Sequence, residues 1–212
     1  MDEQTAPRKW FTSISDSTPD DWAVLEAEGA LFNAGLCDRV IDHLTMLDDQ
    51  DSSFHITRLG HSLQSATLAY RANRDDSYIA CALLHDIGDS LASYNHADLA
   101  AAVVRPFVSD DYHFMIAKHA IFQGYYFWHM IGGDRNARDE YRDHPAFDLT
   151  VEFCAEFDNP AFDPNYKNME LDDFRPLLRE FFSEPRALKR ASAAKTAMPV
   201  AGTRDLDQSV PS

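Results

Sequence analysis

The chain has 212 residues, 45% apolar and 12% aromatic, with a formal net charge of -16; it is long enough for one folded domain with a core of its own and too apolar for a disordered chain. So acidic a protein repels nucleic acid and anionic membrane surfaces, and an anionic substrate has to be held by local basic groups or by metal. No stretch approaches the ~18 apolar residues of a membrane span, and Met1-Asp2-Glu3-Gln4 carries no signal-peptide pattern, so a soluble, cytoplasmic protein without a membrane partner is expected.

Residues 1–18 are polar and turn-rich and read as a flexible segment. Thr18-Pro19-Asp20-Asp21 supplies an N-cap, a first-turn proline and two acids at the start of a helix through Trp22, Val24, Leu25 and Leu31. Val40, Ile41, Leu44 and Leu47 give the next helix its apolar stripe, and Asp48–Ser53 is an acidic loop. From Ile56 to Ala72, Leu59, Leu63, Ala66, Thr67 and Tyr70 lie on one face of a long helix. Asn73-Arg74-Asp75-Asp76 breaks it, and Asp75 or Asp76 caps a helix whose apolar end, Ala80 to Leu84, stops at His85-Asp86. Gly88 then lets the chain turn.

Asn95 is placed to cap a helix through Val104, closed by Arg105-Pro106. Ser109-Asp110-Asp111 starts another through Ile116 and His119. Gly124 and Gly132-Gly133 mark bends around Tyr125-Tyr126-Phe127-Trp128. His144-Pro145 opens a helix through Phe147, Val151, Cys154 and Phe157, and Phe174, Leu177, Leu178 and Phe182 define the last one. The segment 184–212, rich in Ala, Ser, Lys and Arg, reads as a disordered tail. With no alternating strand run and no repeat, the expected fold is all-α, with residues 19–183 as one helical domain. Cys37, Cys81 and Cys154 show no CxxC spacing, and the last two sit in apolar runs, so they read as reduced core residues.

Six residues stand out together: His61, His85, Asp86, His96, His119 and Asp158. Each comes from a different helix or its flank, apart from the central doublet, and all are able to point into one bundle core. A mixed imidazole and carboxylate set without thiolate suits iron, manganese or zinc better than magnesium. Six ligands exceed what one metal with an open position takes, so two metals are expected, with Asp86 as the bridge. His43, His55, His113 and His144 read as ordinary surface or core histidines.

The pattern His…His-Asp…His…His…Asp resembles the HD-domain superfamily over roughly residues 38–182. Most of its members hydrolyse phosphate esters with two metals; a smaller branch holds two irons in a mixed Fe(II)/Fe(III) state and uses O2. Three features are similar to that branch, and in particular to its hydroxyphosphonate-cleaving oxygenases. These are the segment His61-Ser62-Leu63-Gln64-Ser65-Ala66, the full six-ligand set, and Asp89 where many HD hydrolases carry a phosphate-binding lysine. The resemblance implies one iron held by His61, His85 and Asp158, the other by His96 and His119, with Asp86 bridging. It also implies that O2 is consumed while the C–P bond of a 1-hydroxyphosphonate is cleaved to a carboxylate and phosphate. The runner-up implied by the superfamily is a metal-dependent phosphohydrolase of a nucleotide or small phosphate ester.

The chain departs from the branch member that takes an aminohydroxyphosphonate, carrying Asp51 and Phe54 ahead of the first histidine and Gln123 four residues past His119. The greater similarity is to the oxygenase acting on 1-hydroxy-2-(trimethylammonio)ethylphosphonate, which yields glycine betaine. A quaternary cation prefers aromatic faces plus an acid, for which Tyr94, Tyr126 and the rest of the 125–128 run, with Asp89 as the acid, are candidates. Gln64 and Gln123 are further candidates for substrate contact. For the phosphonate end the candidates are Arg58, Lys118, His129, Arg135, Arg138 and Arg142, with Arg58 one helical turn before His61. The oligomeric state is not readable from the sequence.

Overall fold

A computed structural model of the chain describes residues 11–48 and 54–186; the start of the N-terminal segment, the middle of the acidic loop including Asp51, and the tail from 187 lie outside the described residues. Among the described residues there are eight α-helices and no strand, which makes the fold all-α as expected. The chain divides into two compact units, Met1–Asp42 and His43–Ser212, where the sequence suggests one domain over 19–183.

In the first unit, α1 (Pro19–Ala34) starts at a capping box in which Thr18 and Asp21 satisfy each other's backbone N–H groups. Its apolar residues follow no stripe, and Trp22, Val24 and Leu31 are exposed. The helix α2 (Leu36–Thr45) runs from the first unit into the second and buries Cys37, Val40, Ile41 and Leu44 at helical spacing.

The second unit is built from α3 (Arg58–Arg71), α4 (Asp76–Leu84), α5 (His96–Val104), α6 (Asp110–Phe127), α7 (Phe147–Phe153) and α8 (Leu171–Ser183). α4 is its centre: every residue from Tyr78 to Leu84 is buried, and α3 and α8 pack against it. Burying side chains such as Leu83 and Leu84 stabilises the fold by about 1.5–3 kcal/mol each. α5 packs on α6, and α6 on α7. Side-chain caps set three of the starts, with Thr57, Asp75 and Ser109 accepting from the N–H groups of Gly60, Tyr78 and Tyr112. Asp75, not Asp76, is therefore the cap of α4. Asn95 occupies the N-cap position of α5 without a side-chain cap bond, so that helix owes its start to packing.

Two glycines act differently from the turn-forming role their sequence context suggests. Gly124 lies inside α6, where a Cβ would sit 2.4 Å from the Trp128 ring. Gly88 has no positive φ; it is small because a Cβ would meet the His96 carbonyl oxygen at 2.5 Å and its Cα at 2.8 Å. That neighbour is backbone and cannot rotate away. Gly88→Ala is therefore expected to destabilise the protein by about 1–3 kcal/mol, the usual cost of overpacking, read as a lowered Tm. An unchanged Tm would mean that the start of α5 retreats without cost. The turn proper to a glycine is made at Gly132, with φ +84°.

Candidate metal centre

Five separate pieces of chain present the six side chains. His61 sits in the first turn of α3, His85 caps the C-terminus of α4, Asp86 follows in the turn, His96 opens α5 and His119 lies within α6. Asp158 closes a π-helical turn, Cys154–Asp158, that continues α7 and is marked by the Asn159 N–H bond to the Cys154 carbonyl. The sequence suggests an unbroken helix here; the wider turn is what carries Asp158 to the centre. His61, His85, His119 and Asp158 are buried, and Asp86 and His96 are partly so.

Asp86 divides its carboxylate between two pairs of histidines. Its Oδ2 lies 3.3 Å from His85 Nε2 and 3.5 Å from His61 Nε2, while its Oδ1 lies 3.1 Å from His119 Nε2 and 3.4 Å from His96 Nε2. Within each pair the Nε2 atoms are also close, at 3.1 Å for His61–His85 and 3.3 Å for His96–His119. Asp158 Oδ1 joins the first group, 3.2 Å from His61 Nε2 and 3.7 Å from His85 Nε2. Donors about 2.1 Å from one cation and at right angles around it stand about 3 Å apart, so both groups have the spacing of ligands to a shared ion.

The ring orientations test that fit. His61, His85 and His119 each place Nδ1 on a backbone carbonyl, of Ala161 at 2.9 Å, Ala82 at 2.8 Å and Ile116 at 2.7 Å. A carbonyl only accepts, so Nδ1 carries the proton and a neutral ring turns its Nε2 lone pair inward. Lone pairs facing one another and two carboxylates repel unless a cation or a proton lies between them. The Asp158 Oδ2 atom is likewise buried without a hydrogen-bond partner, as expected of an atom whose partner is a metal or its water. The donor set fits two divalent or trivalent ions, with neutral imidazole nitrogens, anionic carboxylate oxygens and no thiolate.

Left to themselves, the groups draw on protons instead. Burial works against the charge on His85, but the Asp86 and Asp158 carboxylates raise it well above the ordinary imidazole value. Burial likewise works to raise Asp86, and His85 and His119 hold it well below the usual carboxylate range; His61 and His85 lower Asp158 in the same way. These opposed shifts mark an electrostatically strained cluster of the kind found at functional sites.

A cavity of about 340 Å³ opens onto the centre, lined among others by Phe54, Arg58, Gln123, Phe127, Trp128 and Phe162. Of the substrate candidates in the sequence, Arg58, Asp89 and Gln123 line it. The others are engaged elsewhere. Gln64 bonds through both ends of its amide to the backbone of Asp163, Lys118 lies over the Tyr141 ring, and Arg135 and Arg138 stack on Tyr125 at 4.3 and 3.6 Å. Tyr126 packs edge-on to Tyr125, Arg142 pairs with Asp139, and His129 and Tyr94 are exposed. Of the aromatic run, only its second half, Phe127 and Trp128, reaches the cavity wall.

Phe54, noted in the sequence only as a departure from the related oxygenase, and Phe162, of which the sequence gives no warning, come from loops and pack on each other at 5.2 Å, with Phe162 against His61 at 4.5 Å. The one available signal is Gln64: its grip on Asp163 fixes the loop that carries both Phe162 and the carbonyl under His61. The His61-to-Gln64 segment thus positions a ligand and a wall, three residues apart on α3.

The HD domain family model matches residues 58–145, under half of the chain, beginning at the first residue of α3 and including every candidate ligand except Asp158. HD domains are generally those of metal-dependent enzymes. A search of curated proteins finds no match to the chain.

Proposed function

We propose, from an HD domain over residues 58–145 and three overlapping His/Asp ligand groups beneath one cavity, that the chain is an O2-dependent diiron oxygenase that cleaves the C–P bond of a 1-hydroxyphosphonate. The carrying observation is the division of Asp86, one oxygen toward His61 and His85 and the other toward His96 and His119. One iron would be held by His61, His85 and Asp158, a second by His96 and His119, and Asp86 would bridge them. Bound there as Fe(II) and Fe(III), the two ions would supply the O2-activating redox chemistry.

The chain's own residues bind and orient the substrate. His61, His96 and His119, buried or partly buried, form the cavity floor and would keep bulk water from the ions. Arg58 gives the cavity a guanidinium suited to phosphonate oxygens. Phe54, Phe127, Trp128 and Phe162 supply aromatic faces for an apolar or quaternary ammonium end, such as the trimethylammonium of 1-hydroxy-2-(trimethylammonio)ethylphosphonate. Gln123 donates its amide N–H to Asp158 at 3.1 Å and keeps that carboxylate in place. At about 340 Å³ the cavity is at the small end of ligand sites, roughly 300–1,000 Å³, which favours a compact phosphonate over a nucleotide.

Overall, the hydroxyphosphonate and O2 give a carboxylate and phosphate, with one oxygen atom of O2 entering each product. The iron-loaded protein incubated with the trimethylammonium substrate should consume one O2 per phosphate released. The carboxylate-bridged pair also suits two-metal phosphoester hydrolysis, the second reading. Phosphate release from phosphate esters at the same rate without O2 would establish that reading and exclude the oxygenase.

A further inference from the structure

The four histidines are not held alike. His61, His85 and His119 rest their Nδ1 atoms on main-chain carbonyls. His96 alone among them points Nδ1 at a side chain, Asp89 Oδ1, at 3.3 Å. The other oxygen of Asp89 accepts from Arg58 Nε at 3.1 Å. Both carboxylate oxygens are therefore engaged inside the protein, and an arginine compensates the charge. This differs from the role that the sequence position suggests, an acid held ready for a cationic substrate.

We infer that Asp89 is a positioning residue for His96, and that Arg58 anchors it, so that the metal position formed by His96, His119 and Asp86 is set by side chains of the cavity wall. A carboxylate behind an imidazole fixes which nitrogen carries the proton, holds the ring plane and raises the basicity of the ligating nitrogen. His96 needs such a brace more than the others do. It is the first residue of α5, it is partly exposed, and no side-chain cap bond secures the start of its helix. Its backbone is fixed from behind by the close approach of Gly88, which leaves the ring as the part still to be oriented.

The position formed by His61, His85 and Asp158 has no such dependence, because its histidines lean on the carbonyls of Ala161 and Ala82. The two positions should thus respond differently to substitution in the cavity wall. Arg58 also lines the cavity, so an oxyanion drawing on its guanidinium would act on His96 through Asp89. Binding of substrate and binding of the second ion would then be linked.

The inference rests on two metal positions and not on the oxygenase chemistry proposed above. Its test is a titration of the metal-free full-length chain with Mn(II), followed by calorimetry and by electron paramagnetic resonance, for the parent, Asp89→Ala and Asp89→Asn. The parent should bind two ions. Asp89→Ala should bind the first unchanged and the second about 10–100-fold more weakly, the usual effect of removing a group behind a histidine ligand. Asp89→Asn, which keeps an acceptor oxygen, should lose less. Unchanged circular dichroism would show that the fold survives.

Equal weakening of both ions, or of neither, overturns the inference while leaving two metal positions intact. A parent that binds one ion overturns both the inference and the two-metal reading. Selective loss of the second ion in a protein that consumes no O2 with hydroxyphosphonate upholds the inference and removes the oxygenase reading alone.

Discussion

Asp86→Ala should empty both metal positions and reduce turnover by on the order of 10³-fold, several kcal/mol of lost charge stabilisation at about 1.36 kcal/mol per decade. No other side chain in the cluster approaches all four histidines; Asp86 does so within 3.1–3.5 Å, with one oxygen for each pair. Its removal leaves imidazole lone pairs converging with nothing shared between the two sets. Asp86→Asn keeps one acceptor oxygen, so it should retain a single ion held by one pair of histidines. His96→Ala should retain the ion at His61, His85 and Asp158. Metal analysis of the three purified variants, with circular dichroism to confirm folding, checks the order: about none, one and one against two for the parent. Two ions per chain in Asp86→Ala would refute the bridging role.

Removing metal should lower Tm by roughly 10 °C and reverse the sign of the pH dependence. A ligand at 1,000 times its Kd stabilises by about 4 kcal/mol, and each kcal/mol moves Tm by about 2–4 °C in a protein of this size. In the chelated protein a proton takes the cation's place. The His85 imidazolium is favoured by Asp86 and Asp158, so its folded pKa lies above its unfolded value. The stability it contributes is complete below about pH 6.5, the unfolded value, and is lost as pH rises through the folded one. The chelated protein should therefore melt higher at pH 6 than at pH 8. Asp86 and Asp158 have lowered values, so their contribution is present above the ordinary carboxylate range and fails only in stronger acid. The metal-loaded protein should do the opposite, holding its ions better at pH 8, because histidine must be neutral to ligate. Thermal melts at both pH values, with and without chelator, decide this; the same slope in both states would show that no ligand histidine exchanges a proton for metal.

The convergence of the six side chains could be read from the sequence because helical spacing carries that information. The residues fall at helix ends or on inward faces, and antiparallel helices bring such points to one level. The cavity wall was far less legible. Its aromatic faces combine Phe127 and Trp128 with Phe54 and Phe162, and the last two lie in loops, where periodicity says nothing about direction. Gln64, Lys118, Tyr126 and Arg138 are candidates by their place in the sequence, but other partners turn them away, Gln64 to Asp163 and Arg138 to Tyr125, and His129 is exposed. Asp89 shows the same limit from the other side. It lies in the cavity as its sequence position suggests, yet its chemistry depends on Arg58 from α3 and His96 from α5. Such a pairing is invisible along the chain.

The π-helical turn at Cys154–Asp158 holds one residue more than an α-helix would need over the same path. Successive residues in an α-helix differ by about 100° in direction, so an α-regular helix of the same length would swing the carboxylate off the centre, whereas one shorter by a single residue would bring it back. The buried face formed by Phe153 and Cys154 lies ahead of that point and would keep its register. In comparing homologues, a one-residue gap in this turn is therefore expected to leave the aspartate at the centre, by an α-helical path in place of the π-helical one.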